Sequence, residues 1–293
     1  MDFTQIIILG LVQGVTEFLP ISSTAHLILL PWFFKFPDPG LTFDIALHLG
    51  TLLAILIYFW KEWWEIVQQS AEVAHRNFDS ASNSLAENQT LLNESHRRSQ
   101  GEASQNLWAP RALSLLFIAT IPGIFFGFLF ESWAETFFRS PIIIAISLAF
   151  FGLLLYIADK KFTHQKTLED LDLKRAFFIG LGQALAIIPG VSRSGVSMTA
   201  GLFVGLKREA AVKFSFLLSA PIIAGSVLAG ILKISNLESR ISNIELFLGI
   251  LSSFAAGILA IKFLLKFVQK RSFVPFVIYR IILAIIIILV SFI

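Results

Sequence analysis

Residues 10–26 read Gly-Leu-Val-Gln-Gly-Val-Thr-Glu-Phe-Leu-Pro-Ile-Ser-Ser-Thr-Ala-His, a short apolar helix joined to a polar turn. The helical part carries Gln13 and Glu17 four residues apart, which places them on one helix face. Pro20 then breaks the helix, and two serines, a threonine and a histidine follow. A turn this polar needs a polar cavity if the chain around it lies in lipid.

The composition indicates a membrane protein. Hydrophobic residues make up 56% of the chain and charged residues 15%, whereas a soluble domain has roughly 25% charged residues. A helix needs about 20 apolar residues to cross the hydrocarbon layer. The apolar runs do not alternate with polar residues, which argues against a β-barrel. We predict an all-α integral membrane protein with six transmembrane helices, at about 43–60, 111–130, 141–158, 210–232, 246–265 and 273–293.

Two further apolar stretches, 3–18 and 176–188, are shorter than the about 20 residues that a transmembrane helix needs. Each ends in a Pro/Ser-rich break, and a second short apolar run follows each break. Short apolar segments of this kind are typical of re-entrant structure. We therefore predict two re-entrant helical hairpins in addition to the six spans.

The basic residues are concentrated in one set of loops, namely 61–110, 159–175, 206–213 and 266–272. The positive-inside rule places these loops in the cytoplasm and both chain termini on the outer side. The polar stretch 68–107 is then a cytoplasmic insert, predicted to be a helix end followed by a loosely structured loop. The small formal charge of +3 reports loop orientation and gives no reason to expect nucleic-acid binding. The chain has no cysteine, which excludes disulfides and thiolate metal sites.

The chain repeats itself at an offset of 170 positions. Gly10 and Gln13 fall on Gly180 and Gln183, and Ser22 falls on Ser192. An odd number of spans separates the two hairpins, so they enter the membrane from opposite sides. This is an inverted-topology repeat, in which the broken helices meet near the midplane. We predict a single membrane domain, 1–293, with one repeat at about 1–158 and the other at about 174–293.

The second turn reads Pro-Gly-Val-Ser-Arg-Ser-Gly-Val-Ser at 189–197 and has the character of a phosphate cradle. A glycine-rich turn before a helix presents backbone N–H groups and the positive end of the helix dipole to an anion. Arginine adds a planar fork that suits phosphate oxygens. The candidate substrate-binding residues are Gly190, Ser192, Arg193, Ser194 and Ser197 here, with Gln13 and Ser22 from the first turn.

The first turn supplies a complementary set of groups: Glu17, Ser23 and His26. A carboxylate, a hydroxyl and an imidazole opposite a phosphate cradle provide a metal or proton site, a nucleophile and a general acid/base. With Arg193, these three are the candidate catalytic residues. Ser22 and Ser23 are also placed to cap the second helix and to face the imidazole.

Asp44, His48 and Arg280 are further ionisable residues within predicted spans, and such residues are functional candidates by default. Asp44 and His48 share a helix face. Either they belong to the site or they pair locally, and Arg280 either neutralises a carboxylate or contacts substrate. The sequence leaves these alternatives open.

Gln13 to His26 resembles the first signature of the undecaprenyl-diphosphate phosphatase family, which is known for bacitracin resistance. That signature is a Glu/Gln-x-x-x-Glu box followed by Ser-Ser-Thr-x-His. Pro189 to Ser197 resembles the second signature, Pro-Gly-x-Ser-Arg-Ser-x-x-Thr, with Ser197 in place of the threonine. The segment from Pro275 to Arg280 is also similar, so the resemblance covers nearly the whole chain.

The resemblance implies hydrolysis of undecaprenyl diphosphate to undecaprenyl phosphate, which recycles the lipid carrier of cell-wall synthesis. It implies a bacterial inner-membrane location, a site that opens to the periplasmic side, and a divalent cation, Mg²⁺ or Ca²⁺. Glu17 matches the second acid of the box and is the expected metal ligand, while Arg193 matches the phosphate-binding arginine. Ser23, His26 and water all remain open as the nucleophile. The oligomeric state, including a homodimer, also remains open.

Two other functions deserve comparison. Inverted repeats with broken helices are also a transporter architecture, so a polyprenyl-phosphate flippase is the main alternative. The lipid phosphatases that resemble acid phosphatases need a histidine after a Ser-Arg pair. No histidine follows Ser192 and Arg193 in this sequence, which excludes that class.

Overall fold

The computed structural model describes residues 2–35, 40–84, 108–130, 133, 138, 140–234 and 242–292. These residues form eleven α-helices, apart from short 3₁₀ turns and a single bridge between Lys166 and Leu206. In chain order they are α1 (Phe3–Phe18), α2 (Ser23–Phe34), α3 (Leu41–Tyr58), α4 (Trp60–Ser84), α5 (Ala109–Leu129), α6 (Pro141–Lys161), α7 (Leu173–Ala184), α8 (Arg193–Phe203), α9 (Arg208–Ile234), α10 (Asn243–Val268) and α11 (Val274–Ser291).

Five of these helices, α5, α6, α9, α10 and α11, are long and apolar enough to cross a membrane. A 21-residue helix such as α5 is about 31 Å long at 1.5 Å per residue, which matches the hydrocarbon thickness. The pair α3 and α4 adds a sixth candidate span, bent by 69° at its break. The prediction of an all-helical protein that fits an integral membrane protein is confirmed. The exact set of six spans and the orientation of the termini stay predictions.

At the positions of the two predicted hairpins the structure has pairs of short helices, α1 with α2 and α7 with α8, and their re-entrant character stays a prediction. Their turns share an uncommon backbone conformation, because Ser22 has φ 76° and Ser192 has φ 72°. Few residues other than glycine adopt positive φ. Each of these serines also caps the helix that follows, Ser22 by accepting from the Ala25 N–H and Ser192 from the Gly195 N–H. The residues related by the 170-residue offset therefore have the same local structure.

The two turns meet in the interior. The backbone N–H of Gly190 donates to Ser22 Oγ at 3.2 Å, and Ser194 Oγ donates to the Leu19 carbonyl at 3.1 Å. The first bond satisfies the Gly190 N–H, which matters where no water is available, and the second adds to the bond that the Leu19 carbonyl already accepts from the Ile21 N–H. The sequence prediction that the turns face each other is thus confirmed in the structure. Their depth in a bilayer stays a prediction.

Glycines allow the first helix of each hairpin to pack tightly on a long helix. α1 lies along α10, and α7 lies along α5. A Cβ on Gly14 would lie only 2.6 Å from Ala256 Cβ, and one on Gly180 would lie 2.8 Å from Ala119 Cα. Such separations are too short for real side chains, so only glycine permits these approaches. The close packing holds α1 against α10 and α7 against α5, and the turns follow directly after these two helices.

The predicted insert is described only in its first part. α4 continues the chain to Ser84, in agreement with the expected helix end. Residues 85–107 of the insert lie outside the described part of the chain. The same holds for most of the 131–140 loop and for 235–241.

Candidate active site

Glu17 is the centre of a buried polar cluster at the end of α1. Its side chain is 3% exposed. Ser23 Oγ donates a hydrogen bond of 2.5 Å to Glu17 Oε2, and Gln13 Nε2 donates to the same oxygen at 3.1 Å. Gln13 reaches Glu17 because it lies one helical turn earlier. Ser23 reaches it because the turn at Pro20 reverses the chain.

Two nitrogen-bearing side chains from other elements face the same carboxylate. Arg193 Nη2 lies 3.7 Å from Glu17 Oε1, and His48 Nε2 lies 3.9 Å from Glu17 Oε2. Arg193 is the first residue of α8 and His48 lies in α3, so three parts of the chain converge on one carboxylate. The site therefore joins Gln13, Glu17 and Ser23 of the first hairpin to Arg193 of the second.

Ser23 and Arg193 occupy equivalent positions in the two turns, since they are separated by the same offset of 170 residues. Each is the first residue of the second helix of its hairpin. Both side chains reach Glu17, one with a hydroxyl and one with a guanidinium group. Two similar turns thus contribute chemically different groups to one site.

Two buried polar atoms of the cluster have no hydrogen-bond partner: Gln13 Oε1 and Arg193 Nη1. A buried donor or acceptor without a partner costs about 1–3 kcal/mol. One atom is an acceptor that can bind a cation, and the other is a donor that can bind an anion. The cluster therefore has unused binding capacity for a ligand of each sign.

The residues of the second turn mostly hold the two turns in place. Ser192 caps α8, and Ser194 binds the first hairpin through the Leu19 carbonyl. Ser197 Oγ donates to the Arg193 carbonyl at 2.8 Å within α8. Gly190, with φ 95°, takes a conformation that favours glycine. Of this predicted set, Arg193 alone contacts Glu17 among the described residues.

His26 lies apart from the Glu17 cluster. Its Nδ1 is 2.7 Å from the Ser22 carbonyl, and its Nε2 is 2.6 Å from the hydroxyl of Tyr279 in α11. The two rings also stack, with an interplanar angle of 10°. A carbonyl only accepts, so Nδ1 donates to Ser22 and Nε2 accepts from Tyr279. The imidazole thus contacts the Ser22 backbone rather than the serine hydroxyls.

Arg280 is fully buried and binds both turns. Its guanidinium donates to five backbone carbonyls at 2.9–3.4 Å. Pro20 belongs to the first turn, Gly190 and Val191 belong to the second, and Ser147 and Leu148 belong to α6. Within the described ranges no carboxylate pairs with it. Of the two roles considered from the sequence, neutralising a carboxylate finds no support, because carbonyl dipoles solvate the charge.

The oxygen atoms at Glu17 and Gln13 are suitable ligands for a divalent cation that is bound together with substrate. The described residues contain no group of three or more His, Asp or Glu side chains that resembles a complete metal cage. Mg²⁺ commonly binds through one or two carboxylates, with substrate phosphates and water completing its shell. Glu17 offers one carboxylate, and the unpartnered Gln13 Oε1 offers a neutral oxygen beside it. Such a set can hold a cation whose remaining ligands are phosphate oxygens.

Two large apolar grooves lie away from this cluster. One, of about 550 Å³, is lined by the α8 residues Val196, Ala200 and Phe203 among others. The other, of about 810 Å³, lies between α3, α5 and α9. No residue of the Glu17 cluster lines either groove, and nearly all of their surface is apolar. The grooves suit hydrocarbon chains, whereas the polar chemistry is confined to the junction of the turns.

Sequence reasoning missed Tyr279 and left His48 and Arg280 unassigned. Tyr279 is the neighbour of Arg280 in the similar segment that begins at Pro275, and this position was the only available signal for it. His48 carried a stronger signal, because an ionisable side chain inside a predicted span is rarely accidental. The contacts of Arg280 are all with backbone atoms, which no residue pattern reveals.

Comparison with known proteins covers almost the entire chain. Residues 6–286 match the family described as bacitracin resistance protein BacA. The undecaprenyl-diphosphatase of Moorella thermoacetica is 47% identical over 290 residues, which cover 99% of this chain and 98% of that protein. The undecaprenyl-diphosphatase of Desulforudis audaxviator is 42% identical over 285 residues, with 97% and 96% covered. The resemblance seen in the two signatures is confirmed, and the chain belongs to the BacA family.

Proposed function

We propose that this protein hydrolyses undecaprenyl diphosphate to undecaprenyl phosphate and inorganic phosphate. The observation that carries the proposal is end-to-end similarity to proteins named undecaprenyl-diphosphatase. The site is consistent with this activity, because an arginine, a carboxylate and a hydroxyl converge inside an apolar helical protein. The lipid tail can stay in the bilayer while the diphosphate enters the polar cluster.

Arg193 binds the phosphate to be released. Its side chain lies at the start of α8, where the positive end of the helix dipole adds to its charge. The unpartnered Nη1 is available to a phosphate oxygen, while Nη2 is oriented by Glu17. The guanidinium fork can contact two oxygens of the transferring group at once.

Ser23 is the nucleophile that the contacts support best, because its hydroxyl already donates to Glu17. In the first step the Ser23 oxygen bonds to the terminal phosphorus, the bridging P–O bond breaks, and undecaprenyl phosphate leaves. Glu17 accepts the Ser23 proton as general base. Water then attacks the phosphoserine, and Glu17 returns the proton to the departing Ser23 oxygen. The proton balance closes with inorganic phosphate as the second product.

The divalent cation of the proposal would be held by Glu17 and Gln13 Oε1 beside the phosphate. When bound, it offsets the negative charge on the transferring phosphoryl group. His26 is proposed as a proton carrier outside the Glu17 cluster, since its Nε2 and the Tyr279 hydroxyl form a short hydrogen bond.

In the membrane we propose six spans and two re-entrant hairpins of an inverted repeat. The sixth span is α3 with the first part of α4. The similar φ angles of Ser22 and Ser192 and the meeting of the two turns support this arrangement. Both termini and the opening of the site lie on the periplasmic side in this proposal, and the basic loops support that orientation.

A lipid assay tests the proposed function. The purified protein in detergent micelles, with magnesium, is mixed with undecaprenyl diphosphate, and both free phosphate and the lipid product are measured. We expect one phosphate released per undecaprenyl phosphate formed, and no release when the monophosphate is the substrate. If the diphosphate stays intact with magnesium and also with calcium, the proposal is wrong.

Rapid quenching with a substrate labelled with ³²P on the terminal phosphate distinguishes the three nucleophiles. Attack by Ser23 gives an acid-stable phosphoserine, which Ser23→Ala abolishes. Attack by His26 gives an acid-labile phosphohistidine instead. Label that never appears on the protein while free phosphate accumulates supports direct attack by water.

A further inference from the structure

The ring of His48 has a defined orientation. Its Nδ1 lies 2.7 Å from the backbone carbonyl of Asp44, one turn earlier in α3. Because a carbonyl only accepts hydrogen bonds, Nδ1 carries the proton of that bond. When the ring is neutral, Nε2 carries a lone pair that points away from the Asp44 carbonyl. A backbone carbonyl on one ring nitrogen is the usual support of a histidine that binds a metal through the other.

Nε2 of His48 faces the carboxylate of Glu17. The separation from Oε2 is 3.9 Å, which is too long for a direct hydrogen bond. A lone pair and a carboxylate oxygen do not attract each other, so a positive species between them would stabilise the arrangement. Two ligands at about 2.1 Å from one cation lie within about 4.2 Å of each other. The observed separation therefore suits a shared cation.

The groups around Glu17 divide between its two oxygens. Arg193 is on the Oε1 side, and Ser23 and Gln13 donate to Oε2, on the side of His48. Gln13 Oε1 is buried and has no partner, so the amide whose Nε2 donates to Glu17 also carries a spare oxygen. An unsatisfied buried acceptor on this amide is a second observation that favours cation binding at the carboxylate.

We propose that His48 supplies a nitrogen ligand to the divalent cation at Glu17. The proposal rests on the function proposed above, because it concerns the cation of that site. Glu17 and Gln13 Oε1 alone would form an all-oxygen site, which suits Mg²⁺ or Ca²⁺. An imidazole ligand shifts the preference toward Mn²⁺ and Zn²⁺, which accept nitrogen more readily.

Manganese is the probe for this site because it is paramagnetic. The purified protein is titrated with Mn²⁺, and electron spin-echo modulation is recorded for the parent, His48→Gln and His164→Gln. We expect histidine ¹⁴N modulation in the parent and in His164→Gln, and no such modulation in His48→Gln. Affinity for Mn²⁺ should fall at least about 10-fold in His48→Gln, since even the loss of a residue that only orients a metal ligand commonly costs that much.

Three results would overturn the proposal: no Mn²⁺ binding by the parent, bound Mn²⁺ without nitrogen modulation, or modulation unchanged in His48→Gln. The absence of nitrogen modulation in the parent overturns the proposal even if the variant fails to fold. Phosphate release with magnesium is measured on the same parent sample. Release without nitrogen modulation removes His48 from the cation site and leaves the phosphatase function intact, whereas absence of release removes the function itself.

Discussion

Glu17 has polar neighbours from two hairpins and from α3, and at the scale of single residues the proposed chemistry depends on it. Glu17→Gln keeps the size of the side chain but loses the base for Ser23 and the anionic ligand for a cation. We expect turnover to fall by about 10²–10⁴-fold, the range for a lost general base. Steady-state phosphate release measures this effect.

The matched control for Glu17→Gln is Glu245→Gln. Glu245 caps the exposed start of α10 by accepting from the Ser242 N–H, and glutamine can make the same cap. The control should retain full activity. Activity of Glu17→Gln within a few-fold of the control would remove Glu17 from the reaction.

His26 and Tyr279 give a second prediction at this scale. His26→Ala removes the proposed proton carrier, so kcat should fall by about 10²–10⁴-fold. Tyr279→Phe removes one hydrogen bond to Nε2 and leaves the bond between Nδ1 and Ser22, so kcat should fall only about 2–10-fold. Equal losses in the two variants, or full activity of His26→Ala, would contradict the role given to His26.

Much of the site could be predicted from the sequence, but the histidines show where sequence reasoning ends. His26 and His48 have the same local geometry, because each binds the carbonyl four residues earlier through Nδ1. One Nε2 then meets Tyr279 and the other faces Glu17. This difference depends on which helices pack against α2 and α3, and the spacing of residues carries no information about that packing.

At the scale of elements, Arg280 holds the two turns together. Arg280→Lys keeps the charge but replaces a planar fork by a single ammonium group, which cannot reach carbonyls in three segments. Ser23 and Arg193 would then lose their shared alignment on Glu17. Displacement by about 1 Å costs on the order of 10²-fold in rate. We expect kcat/KM to fall by that amount.

Arg271→Lys is the matched control for this variant, since Arg271 is exposed at the start of the chain segment before α11. Activity is measured well below the melting temperature of each variant, so that loss of alignment is separated from unfolding. Full activity of Arg280→Lys would show that the turns keep their alignment without the hydrogen bonds of the Arg280 guanidinium.

The helices themselves could be predicted from the sequence, because apolar runs and proline breaks are local signals. The bend of 69° between α3 and α4 could not be predicted, because the sequence continues through Phe59 without a proline or glycine. Trp60 and Trp64 are exposed on the near part of α4, while Ile66 is buried. The direction of the bend therefore depends on which side of α4 packs against the other helices, and that packing is a property of the assembled bundle.

At the scale of the whole molecule, the basic loops and the proposed inverted repeat together predict which side of the membrane each loop and terminus faces. Reporter fusions after Ile293 and within residues 85–100 should report opposite sides, with the terminus outside and the insert in the cytoplasm. The positive residues in the loops are the physical reason. Fusions that report the same side would contradict the inverted arrangement of the two hairpins.

The central claim is that the cluster at the junction of the turns hydrolyses the diphosphate. Its most direct test is release of ³²P from terminally labelled undecaprenyl diphosphate by the parent, by Arg193→Ala and by Arg175→Ala, a control at a half-buried arginine that pairs with Asp172. We predict free labelled phosphate with the parent and with Arg175→Ala, and a loss of about 10²–10³-fold in kcat for Arg193→Ala, as for other lost transition-state donors. Undiminished release by Arg193→Ala would contradict the account.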